Sequence, residues 1–120
     1  MANFNKIILM GYLTRDPELK YLPVGTAVVN FGIATNHKYK DKTEVCFVDC
    51  RCFGARAAAI HKYVGKGDPL LVEGRLTFDQ WQDQDGTERS KHRITVENFV
   101  FVGSNNQENA QSYQRETNRN

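Results

Sequence analysis

Apolar and polar side chains alternate with a period of two along most of the chain, and the alternation predicts five strands, at 4–14, 27–36, 45–53, 70–81 and 89–102. In the first, Ile7, Leu9 and Leu13 share one face and Lys6, Tyr12 and Thr14 the other, with Gly11 marking a bend or bulge. In the second, Val29, Phe31, Ile33 and Thr35 oppose Asn30, Gly32 and Ala34. The third sets Cys46, Val48, Cys50 and Cys52 inward against Phe47, Asp49, Arg51 and Phe53. The fourth points Leu70, Val72, Leu76 and Phe78 inward and Glu73, Arg75, Thr77, Asp79 and Trp81 outward. The fifth sets Ile94, Val96, Val100 and Val102 against Lys91, Arg93, Thr95 and Glu97.

Turn chemistry separates these runs. Asp16, Pro17 and the residues from Pro23 to Thr26 flank a short stretch of Leu19, Lys20 and Tyr21. The polar, basic segment 37–44 reads as a loop and 83–86 as a hairpin tip. One segment changes period: in the Ala-rich 55–64, Ala57, Ile60 and Val64 recur at helical spacing before Gly65 and Gly67. Five strands with a short helix between the third and fourth is the order of an OB-fold, a small all-β Greek-key barrel. After Gly103 the composition shifts to Asn, Gln and Ser, which cannot bury enough apolar surface to become ordered. The expected organisation is a folded domain at 1–103 and a disordered tail at 104–120.

The polar faces carry the chemistry. Tyr39, Phe47, Phe53 and Trp81 lie on them, interleaved with Lys38, Lys40, Lys42, Arg51 and Arg75. Rings placed there add little to a core but make good platforms for unstacked bases, while neighbouring cations neutralise phosphates. This pattern points to single-stranded nucleic acid, with Tyr39, Phe47, Phe53 and Trp81 stacking bases and Lys40, Lys42, Arg51, Lys66, Arg75 and Arg89 contacting phosphates. A net charge of +2 is too mild for binding by charge alone, so stacking must carry a large share.

Other chemistry finds little support. The three cysteines, Cys46, Cys50 and Cys52, alternate on one face as reduced core thiols, and no CxxC or histidine pair accompanies them, so neither metal nor cofactor is expected. Lys66 between Gly65 and Gly67 lacks the spacing and the following Ser or Thr of a phosphate loop, because Asp68 comes next. Asp83, Asp85 and Glu88 cluster at the hairpin tip without a converging nucleophile, so an enzyme is not expected. The apolar run at 7–13 is too short to span a membrane and lacks a cleavage site, which predicts a cytoplasmic protein.

The residues from Phe4 to Tyr21 resemble the opening of bacterial single-stranded DNA-binding proteins. The likeness continues through the turn at Pro23 to Gly25, the run Phe31 to Asn36, Phe53 and Gly54, Tyr63 to Gly67, Val72 to Leu76 and Trp81 to Gly86, and covers residues 3 to about 102 in order. The resemblance implies an OB-fold assembled as a homotetramer, single-stranded DNA wrapped without sequence readout, and no catalysis. It places stacking rings at the same four positions. Tyr39 and Phe47 stand where many members carry tryptophan, and Asp49, Asp79 and Gln80 replace basic residues of well-known members. Members that recruit replication and repair proteins usually end in several acidic residues and a Pro-Phe tip, whereas this sequence ends Glu116, Thr117, Asn118, Arg119, Asn120. Capture of such partners is therefore expected only of a form carrying that tip; truncation and a naturally tailless phage, plasmid or specialised version both fit. The rival function is a primosomal-like accessory that mainly docks other replication proteins, and RNA is an alternative ligand.

Overall fold

The computed structural model describes residues 2–103, and the expected tail at 104–120 lies outside them. Six strands and one helix occur among the described residues: β1 (Ile7–Leu13), β2 (Glu18–Tyr21), β3 (Ala27–Tyr39), β4 (Lys42–Phe53), α1 (Ala55–Tyr63), β5 (Pro69–Gln82) and β6 (Glu88–Phe101). They form one sheet in the order β1-β5-β6-β4-β3-β2, closed into a barrel by a further pairing of β1 with β3. The five long strands are those of the expected OB-fold, and the helix falls between the third and fourth of them. Short β2 pairs antiparallel with the start of β3 and adds a sixth strand at the sheet's edge.

Closure depends on two glycines where strands crowd. β1 runs alongside β5 as far as Tyr12, but Tyr12 and Leu13 also face Ala34 and Ile33 of β3. At the fork stands Gly11, where a Cβ would lie 2.3 Å from the Ala34 carbonyl oxygen. Gly74 does the same between β5 and β6, where a Cβ would come within 2.0 Å of the Thr95 oxygen. There the register slips: Gly74 faces Val96 while Glu73 faces Asn98, leaving Glu97 as the extra residue of a bulge.

The barrel interior is filled by Leu13, Val29, Phe31, Ile33, Cys50, Cys52, Leu70, Val72, Ile94, Val96, Phe99 and Phe101, and α1 seals it with Ala57 and Ile60. The helix begins at Gly54, whose φ of 79° suits a glycine, and ends where the Val64 amide donates to the Ile60 carbonyl. Burial pushes the Cys50 thiol up to about 12 and that of Cys52 up to about 11, so both remain protonated core groups.

Four expectations are corrected. The segment 37–44 is mostly strand: β3 and β4 continue to the Tyr39–Lys42 pair and leave only Lys40 and Asp41 to turn, with Lys40 at a φ of 56°. Cys46 is exposed because it lies on this ribbon beyond the barrel. Leu76 and Phe78 have the inward phase, yet they are exposed for the same reason on the β5–β6 ribbon, where Phe78 rests against His92 with ring centroids 4.8 Å apart. In β6 the bulge at Glu97 reverses the phase, so Phe99 and Phe101 are buried while Val100 and Val102 are only half-buried.

Candidate nucleic-acid interface

β4, β6 and β5 lie side by side, with β6 parallel to β4 and antiparallel to β5. Their outward residues form a continuous surface. From β4 come Phe47, Asp49, Arg51 and Phe53, from β6 Lys91, Arg93 and Thr95, and from β5 Arg75, Thr77, Asp79 and Trp81.

Rings and charges interlock on this surface. The Arg51 guanidinium lies 5.7 Å from the centroid of the Phe53 ring, and that of Arg93 lies 5.8 Å from the Trp81 ring. Both arginines reach the same oxygen, Oδ2 of Asp79, at 2.6 Å from Arg51 Nη2 and 2.8 Å from Arg93 Nε. Asp49 is likewise held by two cations, Lys91 and Arg15, the latter at 3.4 Å. Arg15 crosses β3 over Gly32, where a Cβ would meet its guanidinium at 2.7 Å. Burial disfavours the charge on Asp49, but the hydrogen bond and charge of Lys91, joined by Arg15, outweigh it and hold the carboxyl below its ordinary range.

Phe47 is 72% exposed, Tyr39 63%, and Phe53 and Trp81 42% each, so none of the four rings is spent on the core. Their placement differs. Phe47 faces Ala34 across the β3–β4 pair, while Tyr39 faces Lys42 at the tip. Alternation from Ala34 to Tyr39 sets that ring on the reverse side of the ribbon, with Lys40 Nζ 5.5 Å from its centroid. The outward surface thus gathers Phe47, Phe53 and Trp81 and leaves Tyr39 apart.

The expected phosphate contacts divide in two. Arg51, Arg75 and Arg89 are already ion-paired, with Asp79, with Glu97 at 3.0 Å and with Asp83 at 2.8 Å. Among the described residues, Lys40, Lys42 and Lys66 have no carboxylate partner within ion-pair distance. The loop around Lys66 does not form a phosphate cradle. The Lys66 amide donates to Asp16, the Gly65 amide to Asp68 and the Gly67 amide to the Leu13 carbonyl. At the hairpin tip the Asp83 carboxylate accepts from the Thr87 amide and from Arg89. Its acidity is raised first by the hydrogen bond with Asp85 and then by Arg89. No group of three or more potential ligands is placed to hold a metal among the described residues, and no described helix is long and apolar enough to cross a membrane.

Sequence reasoning leaves Arg15, Lys91 and Arg93 out of the site and sees Asp49 and Asp79 only as misplaced acids. For Lys91, Arg93, Asp49 and Asp79 the outward phase is the available signal, since each falls on the same strand face as a stacking ring or beside one, whereas Arg15 sits in the bend after β1 and carries no such signal.

The sequence profile described as the single-strand binding protein family matches residues 4–102. The chain is similar to proteins named single-stranded DNA-binding protein from Wolinella succinogenes, 47% identical over 106 residues, and Helicobacter pylori, 45% identical over 104. These alignments take in 84% and 82% of this chain but only 65% and 58% of the two relatives, so the chain spans roughly three fifths of their length. A protein of the same name from Borreliella burgdorferi is 39% identical over 109 residues, covering 87% of this chain and 73% of its own length. The matched span runs from the start of the barrel through both ribbons to the last strand, and on that ground the chain belongs to the single-strand binding protein family.

Proposed function

We propose that the protein binds single-stranded DNA without regard to sequence, as a homotetramer in the cytoplasm at the nucleoid, and shields exposed strands during replication, recombination and repair. The observation that carries this reading is the exposure of Phe47, Phe53 and Trp81 on one surface laced with arginine and lysine. Each base stacked on a ring contributes about 1–3 kcal/mol whatever its identity, because every base has a π face. Lys40, Lys42 and Lys66 are open to phosphate and release its counterions, while Arg51, Arg75 and Arg89 exchange a carboxylate for it. Tyr39 meets a strand passing round the ribbon's edge. Assembly is favoured by β1, whose edge from Ile7 to Gly11 has no strand partner on the side away from β5 among the described residues, and whose Ile8, Met10 and Tyr12 are exposed.

A titration with oligo-dT of increasing length, read by Trp81 fluorescence and repeated with RNA and duplex DNA, tests the reading. Quenching that strengthens with length and is weaker with duplex and RNA is expected. Duplex or RNA binding as tight as oligo-dT, or no quenching by any length, would overturn it. Sedimentation showing a monomer at micromolar concentration would remove the tetramer.

A further inference from the structure

A carboxylate on a surface that meets phosphates is a liability unless its charge is committed elsewhere. The Asp79 charge is committed twice, to Arg51 at 2.6 Å and Arg93 at 2.8 Å, and all three side chains are about three-quarters buried. The two guanidiniums come from different strands, β4 and β6. Without an anion between them they would repel and turn outward into water. Each also lies against a ring, Arg51 against Phe53 and Arg93 against Trp81. We infer that Asp79 is a positioning residue of the stacking surface: one carboxylate holds two arginines in place, and through them it fixes the pose of two base-stacking rings. The inference rests on the single-strand reading above for its purpose, though not for its geometry.

Asp79→Asn separates this role from simple charge. Removing an anion near phosphates tightens binding at low salt, whereas loss of ring placement weakens it at any salt. At about 1 M salt, where the screening length is about 3 Å, only the second effect remains. There we expect the variant to bind labelled oligo-dT about three- to ten-fold more weakly, the span set by the loss of one or two cation–ring contacts. In the DNA-free protein, emission from Trp81, the single tryptophan of the chain, should move to the red and become more open to acrylamide. In a Phe53→Ala, Trp81→Ala background, Asp79→Asn should have no further effect at high salt. Glu97→Gln frees Arg75, whose ion pair stands apart from the rings among the described residues, and should alter affinity only at low salt. Should Asp79→Asn fail to fold, Arg93→Lys keeps the charge, loses the planar group beside Trp81, and should produce the same change in emission.

Unchanged Trp81 emission together with unchanged affinity at high salt would overturn the inference. So would an undiminished penalty in the ringless background. Failure of the unaltered protein to bind oligo-dT would instead overturn the single-strand reading, and the DNA-free spectra would still decide whether Asp79 governs Trp81.

Discussion

The barrel and the two ribbons that leave it are built from the same strands, yet they use alternation differently. Within the barrel, Val29, Phe31 and Ile33 of β3 meet Cys50, Cys52, Leu70 and Ile94, and the polar phase faces outward. Past the barrel wall the strands continue to Tyr39 and Lys42 in one ribbon and to Gln82 and Glu88 in the other, and neither phase has an apolar core to bury against. Cys46, Leu76 and Phe78 keep the inward phase and are nonetheless exposed. Alternation therefore reports that a segment is a strand, while closure of the barrel decides what is buried. The rings gain their freedom from the same geometry: Trp81 and Tyr39 lie near the ribbon ends, and Phe47 on the stretch leading out of the barrel.

The sharpest way to break the comparison is to damage one region and read the other. Phe31→Ala removes a fully buried ring and should lower unfolding free energy by about 3–5 kcal/mol in a denaturant titration. Trp81→Ala should leave that stability nearly unchanged and weaken oligo-dT binding by about 1–3 kcal/mol, read by anisotropy of a labelled strand. If Trp81→Ala unfolded the protein instead, the ribbon would have to be counted as part of the core. A smaller effect separates open cations from committed ones. Lys40→Ala and Lys42→Ala should each flatten the salt dependence of binding by about 0.7 in log–log slope, and Arg89→Ala by less, because Asp83 already neutralises it.

The smallest effect concerns pH. The Asp49 carboxyl titrates below its ordinary 3.8, so the charged form is favoured in the folded state. Its contribution is complete above that ordinary value and fades as pH falls through the lower, folded one. Unfolding free energy followed downward from pH 5 should decline in the acid range, and Asp49→Asn should make the decline shallower. An identical decline in both proteins would deny Asp49 a share in it.

Much of the barrel is legible in the sequence because local pattern and burial coincide there, as in the run from Val29 to Ile33. The turn at Lys40 is not legible: a left-handed lysine carries none of the glycine or asparagine signal that marks a two-residue hairpin, so the surrounding polar residues read as loop. The phase reversal at Glu97 is hidden for another reason. Its cause is the close approach of Gly74 to Thr95, a contact between strands that no local window contains. In the candidate site Phe47, Phe53 and Trp81 could be picked from their outward phase, whereas Tyr39 shares the phase of Phe31 and Ile33 and lies on the reverse side of its ribbon. The support of the rings could not be picked, since Arg51 and Asp79 are 28 residues apart in sequence and meet only once β6 has come between their strands.

The position of β6 also governs the order of events in the chain's own making. β6 is the neighbour of both β4 and β5, and its parallel seam with β4, at Cys50, Arg51 and Cys52, closes the circle. A chain emerging from the ribosome can pair β3 with β4 early, but the barrel has no way to shut until its last strand is out. Folding of the domain therefore waits for β6 in its decisive step, and loop closure over so long a stretch places refolding on a scale of roughly milliseconds to seconds. Until that step, the apolar side of β4 stands open to other copies of the chain, so the interval between synthesis and closure is when the protein is most exposed to aggregation.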